Sequence, residues 1–302
     1  MKHHLIRNIK TEIQSKTREF KIVILTIFVF IAGLVILILF LIFSGGKNPC
    51  RNIPEINNTI INYGLVLYFP FNKNNSENIV CDLSGNKNYG IVNNATWNPA
   101  AGIFNDSVYE FNGINSEIKI RNSKDLSPKN HDNQFSVLFY ARFDNTSFIG
   151  EGLRKNYVNY LGKATPENYE WEFRQYNSSN QQDRSNRLSF YVFNPEGGIG
   201  VGGYVQENIT EGEWIFIAGV LEGDKIKIYK NGELKNTQYF SDDEIRTRHT
   251  KSDLYIGTAD KGAYFKGAID ELRIYDRALS SSEIKMVYEL NRSSENEIFK
   301  RI

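Results

Sequence analysis

The residues beyond position 62 predict an all-β sandwich. Short runs rich in aromatic and β-branched residues recur from Gly64 to Tyr275. Asn, Gly and Asp separate these runs. Helical periodicity is absent until the last stretch of the chain. Many short strands divided by turn formers are what a two-sheet antiparallel domain requires.

The strand candidates, in order, begin with Gly64–Phe71 (GLVLYFPF), Ser107–Phe111 (SVYEF), Glu117–Ile120 (EIKI) and Phe135–Phe143 (FSVLFYARF). Tyr169–Tyr176 (YEWEFRQY), Leu188–Phe193 (LSFYVF) and Trp214–Leu221 (WIFIAGVL) follow. Lys225–Tyr229 (KIKIY), Leu254–Gly257 (LYIG) and Ile269–Tyr275 (IDELRIY) complete the series. Asn231-Gly232 lies between KIKIYK and ELKNTQYF. That pair predicts a type I′ hairpin, because both central positions need positive φ. Ser280 and Glu283 form a capping box, and Ile284, Val287, Tyr288 and Leu290 follow on one face, so a short helix ends the domain.

Upstream the chemistry changes. Ile22 to Phe43 is an apolar run of 22 residues without a charge. At ~1.5 Å per helical residue it reaches roughly 33 Å, enough to cross a bilayer core. Six basic residues before it (Lys2, Arg7, Lys10, Lys16, Arg18, Lys21) stand against Glu12 and Glu19. Basic flanks stay cytoplasmic, so residues 1–21 are expected inside the cell membrane and the C-terminal domain outside it. The run exceeds an ordinary signal-peptide core, and Phe43-Ser44-Gly45-Gly46 matches a cleavage site poorly. An uncleaved single-pass anchor is the reading, and a cleaved signal peptide is the alternative. Residues 44–62, with Gly45-Gly46, Pro49 and Pro54, read as a stalk. Residues 63–290 form the domain and 291–302 a solvated tail.

Cys50 and Cys81 are the only cysteines. Outside the cytosol such a pair is expected to close a disulfide, the alternative being two free thiols. Eight Asn-x-Ser/Thr sequons (Asn57, Asn74, Asn94, Asn105, Asn145, Asn177, Asn208, Asn291) are compatible with export. The net charge is +1, and the N-terminal segment holds the basic excess. No basic footprint for nucleic acid remains.

Several segments match one pattern: GLVLYFPFNKNN, CDLSGNKNYGIVNNATW, SVYEFNG with EIKI, and EGEWIFIAGVLEGDKIKIYKNGEL. The close, LYIGTADKGAYFKGAIDELRIYDRALSSSEI, is the most specific. Together these resemble the laminin G-like domains of the concanavalin A-like lectin/glucanase superfamily, over roughly Gly64 to Leu290. The resemblance implies a jelly roll of two antiparallel sheets. It also implies a structural Ca²⁺ near the Asp of the last strand, which matches Asp270. Asp82 is the expected second ligand, with Asn72 or Asn88 and backbone carbonyls completing an oxygen shell. The plain alternative is that Asp82 caps a turn and Asp270 pairs with Arg273 or Arg277.

Glucanases share this superfamily, and their carboxylates occupy one strand. The nearest match is Glu170-Trp171-Glu172-Phe173-Arg174-Gln175. Glu170 and Glu172 point to one face, roughly 7 Å apart. Arg174 or Gln175 stands where a third acid belongs, so no catalysis is expected. Gly197 to Gly203 has no following Lys-Ser/Thr and reads as a flat strand rather than a phosphate cradle. His131 and His249 stand in no triad or metal spacing. Non-catalytic binding of a glycan or surface protein is the expected role, with Tyr157, Tyr160, Glu172, Arg174, Tyr176 and Tyr191 as candidate contacts.

Overall fold

The computed structural model describes Cys50 and residues 59–72, 78–148, 156–180, 183–194, 200–241 and 244–293. The expected membrane span at 22–43, the tail at 1–21 and most of the stalk lie outside these residues. Among the described residues, no helix is long and apolar enough to cross a membrane.

A one-turn helix, α1 (Thr59–Asn62), leads into β1 (Leu65–Phe69), β2 (Ile79–Val80), β3 (Gly90–Asn93) and β4 (Thr96–Asn98). Then come β5 (Val108–Asn112), β6 (Glu117–Ile120), β7 (Gln134–Phe143), β8 (Tyr157–Thr165), β9 (Asn168–Tyr176) and β10 (Leu188–Phe193). The last strands are β11 (Gly200–Tyr204), β12 (Trp214–Glu222), β13 (Lys225–Lys230), β14 (Glu233–Tyr239), β15 (Leu254–Ile256) and β16 (Lys266–Tyr275). Helix α2 (Ser281–Ser293) follows.

The strands form two antiparallel sheets. One runs β14-β13-β12-β7-β16-β5-β4, with β1 also on β16, and the other runs β11-β10-β9-β8-β15-β6-β3-β2. Period-two alternation sends Phe135, Phe139 and Ile217 from the first sheet, and Trp171, Phe173 and Phe190 from the second, into one core. Phe139 meets Phe173 edge-on at 4.9 Å, a geometry that aligns ring edges with ring faces.

The local signals hold. Asn231 and Gly232 take φ of 52° and 80° between β13 and β14. Ser280 Oγ accepts from Glu283 N at 3.3 Å, and Glu283 Oε2 accepts from Ser280 N at 2.8 Å, closing the capping box. Cys50 and Cys81 are disulfide-bonded.

Strand β16 carries a bulge between Asp270 and Arg273. Along one edge β5 pairs with its first half and β1 with its second. Glu271, at the change, adopts φ 53°. A bulge re-aims side chains, and here it does so where three strands meet.

Candidate functional site

The outer face of the second sheet gathers the aromatic candidates. Residues Glu172, Arg174 and Tyr176 share one face of β9, opposite the core-facing Trp171 and Phe173. Register places Tyr157 opposite Tyr176, Asn159 opposite Arg174, Ser189 opposite Arg174 and Tyr191 opposite Glu172. Phe193, two residues beyond Tyr191, joins the same cluster. Five of the six expected contact residues therefore meet.

Tyr160 does not. It is fully buried and packs on Phe139, Phe143, Phe173 and Phe265 in the core. It lies three residues from Tyr157, an odd spacing that alternation sends to the opposite face. A bulge between Asn159 and Leu161 adjusts the strand there.

Arg174 organises the outer face. Its guanidinium carbon lies 4.2 Å from the Tyr157 ring centre, 4.5 Å from Tyr191 and 5.0 Å from Phe193. Its Nε donates to Glu172 Oε1. The chain's own cation thus covers the ring faces that sequence reasoning reserved for a sugar. Burial raises the Glu172 carboxyl above its ordinary range, and the charge of Arg174 opposes that shift.

The ring cluster explains the glycine-rich run. A Cβ on Gly200 would stand 2.3 Å from the Phe193 ring, and one on Gly202 would stand 2.5 Å from the Tyr191 ring. Only glycine lets these rings lie flat on β11. On the same face, Asn159 Oδ1, Glu172 Oε2 and Ser189 Oγ are buried without a hydrogen-bond partner. Each such atom costs about 1–3 kcal/mol unless something supplies a partner.

Carboxylate chemistry finds no free pair here. Glu170 Oε1 accepts from Thr250 N (2.8 Å) and Thr250 Oγ1 (2.7 Å), and Lys163 Nζ stands 3.2 Å away. Glu172 belongs to Arg174. Ser127 Oγ lies 2.7 Å from His249 Nδ1, and Glu170 Oε1 lies 3.9 Å from the same nitrogen. A triad needs its acid and its nucleophile on opposite ring nitrogens, so this contact is structural.

Sequence reasoning grouped Asp82 with Asp270; the structure gives them separate partners. Asp82 Oδ1 accepts from Tyr68 N (3.0 Å) and Ser84 N (2.9 Å), and Oδ2 accepts from Asn88 N (2.9 Å). Asn88 Nδ2 donates to the Val66 carbonyl at 2.8 Å. Asp82 is therefore a turn cap with both oxygens engaged.

Asp270 Oδ2 instead accepts from Ile103 N at 3.1 Å, and Oδ1 from Glu271 N at 2.8 Å. Arg273 pairs with Glu271 (2.7 Å) and Arg277 with Glu283 (2.7 Å), not with Asp270. Burial, then the charges of Glu271 and Asp106, hold the Asp270 carboxyl well above its usual range. Asp106 is pushed up to about 6 by burial, then by Glu271. Asp106 Oδ1 is buried and unpartnered.

The Asn72 amide completes this corner, 2.8 Å from Asp106 Oδ2 and 3.2 Å from the Pro70 carbonyl. With its nitrogen turned inward it donates to both. Phe71 between them holds φ 57°. A bulky residue in that region is an outlier, and such outliers cluster at functional sites. Among the described residues, no group of three or more His, Cys, Asp or Glu side chains is placed to hold a metal. Any ion here would depend on the two aspartates and on amide and carbonyl oxygens.

One other concavity, of about 440 Å³, lies between the β13–β14 hairpin and α2. Its lysines are engaged: Glu207 holds Lys230 and Lys235 at 2.8 Å each, and Lys285 stands 3.8 Å from Glu289.

Asp106, Asn159, Ser189 and Phe193 were not singled out from the sequence. Ser189 and Phe193 alternate with Tyr191 and were recoverable by period two. The others required knowledge of the tertiary contacts.

A laminin G family model, described as concanavalin A-like lectin/glucanases superfamily, matches residues 112–285. The chain belongs to this laminin G-like family. No curated protein matches it. Solved structures with a similar fold include the botulinum neurotoxin serotype D binding domain (TM-score 0.58, 17% identity, 77% of this chain and 53% of that one). Domain 4 of AbnA, an extracellular arabinanase from Geobacillus stearothermophilus, in complex with arabinotriose, gives TM-score 0.55 and 19% identity over 74% of this chain and 98% of that one. The botulinum neurotoxin DC binding domain, in complex with rat synaptotagmin II, gives 0.57 and 16% over 76% and 52%. The laminin G-like chain spans about half the length of the neurotoxin domains. At these identities the likeness concerns the fold.

Proposed function

We propose that this laminin G-like chain is a membrane-anchored, extracytoplasmic recognition module that binds carbohydrate without catalysis. The observation that carries this is the outer face of β8–β10. It combines Tyr157, Tyr176 and Tyr191 with three buried polar atoms that lack partners. Polyhydroxylated ligands supply the hydroxyls such polar groups need, beside the apolar surface of the aromatic side chains. Glu170 and Glu172 are both held by cations, which leaves no acid–base pair for glycoside hydrolysis. One similar structure carries arabinotriose and another a protein. Protein–protein adhesion is therefore the second reading. The anchor at 22–43 rests on the apolar run and its basic flank.

We also propose a structural Ca²⁺ held by Asp270, Asp106, Asn72 and the Pro70 carbonyl, with Asp106 in place of Asp82. Two carboxylates whose proton affinity is raised by burial and by the charge of Glu271 suit a hard cation.

The first experiment is binding of the full-length chain, in mild detergent with calcium, to a broad glycan array. Saturable, competable binding that is lost in Tyr176→Ala supports the lectin reading. An empty array from folded protein sinks it and favours adhesion, which cross-linking to neighbouring surface proteins would then identify. Turnover of any bound glycan that disappears in Glu172→Gln would overturn the non-catalytic reading.

A further inference from the structure

The outer-face cluster continues past Tyr176 and Tyr191 to Arg184. Its Nη1 donates to Tyr191 Oη at 2.7 Å and to Tyr176 Oη at 3.1 Å. Its guanidinium carbon lies 5.0 Å from the centre of the Tyr204 ring. Arg187 approaches the same ring at 5.8 Å. Tyr204 stands opposite Ser189 in register, on the face where Gly200 and Gly202 receive the Phe193 and Tyr191 rings.

The charges at this corner do not balance. Arg174 has Glu172. Among the described residues Arg184 has no carboxylate partner, its bonds going to two phenols. Arg187 Nη1 donates to the Asp183 carbonyl, its Nη2 stands 4.0 Å from the fully exposed Asp183 carboxylate, and its Nε is buried without a partner among the described residues. Two half-buried guanidiniums therefore flank one tyrosine ring with donors to spare. Neutral sugars call for rings and amides; a pair of planar forks calls for an anion.

We infer that the Arg184–Tyr204–Arg187 corner binds the anionic group of an acidic glycan, a carboxylate or sulfate, while Tyr204 packs against the ring that bears it. This rests on the carbohydrate-binding reading above and names the class of sugar. Arg184 also ties the corner to the Tyr176–Tyr191 pair, so an anion bound there adjoins the face with the unpartnered polar atoms.

The test titrates the immobilised full-length chain with three acid–neutral pairs: trigalacturonic acid and its methyl ester, sialyllactose and its methyl ester, and a sulfated oligosaccharide and its desulfated counterpart. At least one acid is expected to bind about tenfold or more tighter than its neutral counterpart, the scale of one charge-assisted pair. Arg184→Gln should bring that ratio close to one, and Arg187→Gln should reduce it, with near-UV circular dichroism unchanged. Arg184→Lys, which keeps the charge and loses the fork, should fall between. The arm that binds names the anion. Equal binding of acids and neutral forms, or an acid preference that survives both Gln variants, overturns the inference and leaves the carbohydrate reading standing. Failure of every glycan, neutral ones included, overturns both.

Discussion

Lys163 shows how a buried charge is tolerated. Its Nζ donates to Asn122 Oδ1 at 2.7 Å and to Ser127 Oγ at 3.0 Å, and faces Glu170 Oε1 at 3.2 Å. Burial lowers its proton affinity, and Glu170 opposes that shift. Neither side chain reaches solvent. Such a pair contributes little beyond an apolar substitute, yet breaking it strands a charge. Lys163→Met should therefore cost about 3–5 kcal/mol in urea unfolding, and the Lys163→Met/Glu170→Gln double variant should recover much of it. Equal losses in the single and double variants would show that packing around the lysine stem dominates. Asn177 makes a related point. Its Nδ2 donates to the Phe148 carbonyl at 2.5 Å within a buried side chain, so this sequon is spent on structure once the domain has folded.

At the scale of the element, the α2 capping box links sequence, stability and pH. Arg277 first, and then the Ser280 amide and hydroxyl, hold Glu283 down at about 2, below its ordinary 4.5. A depressed carboxylate stabilises the fold above its unfolded pKa, and that contribution is lost as pH falls from 4.5 towards 2. Glu283→Gln should cost about 1 kcal/mol at pH 7, and the difference should vanish near pH 2. A pH-independent difference would assign the effect to helix propensity instead. The β16 bulge is the other decisive element. It turns Glu271 towards Tyr68 and Arg273, where Tyr68 Oη donates to Glu271 Oε2 at 2.9 Å and Arg273 stacks on the Tyr68 ring at 4.2 Å. Asp270 is left facing the loop that carries Ile103 and Asp106.

At the scale of the whole molecule, the Asp106–Asp270 corner joins the Pro70–Asn72 turn and the 103–106 loop to the last strand. A cation there would cross-link segments distant in sequence and stabilise the native state by mass action. Calcium at a hundredfold excess over its dissociation constant contributes about 2.7 kcal/mol. For a domain of this size that corresponds to roughly 5–10 °C in melting temperature. Chelator-treated protein should gain such a shift on adding calcium, and Asp106→Asn should abolish it while Asp82→Asn should not. An unchanged melting curve in millimolar calcium would remove the ion from the proposal.

What the sequence determined by itself was whatever chemistry operates within a few residues. Period-two alternation marked most strands, Asn231-Gly232 its hairpin, and Ser280 with Glu283 the helix start. The strands it did not single out had weak local signals: β2, β3 and β4 are two, four and three residues long, and β11 is mostly glycine. β8 was missed for another reason, its apolar pattern being broken by Asn159, Gly162 and Lys163. Tertiary structure alone decided which side chains meet. Alternation says that Glu172 and Arg174 share a face; it does not say that Tyr157, Tyr191 and Phe193 arrive from neighbouring strands to surround the guanidinium. Likewise Asp270 was legible as an acid on the last strand, but its neighbour proved to be Asp106 and not Asp82. Register and bulges set those meetings. They are fixed by hydrogen bonds between distant segments, which no local pattern encodes.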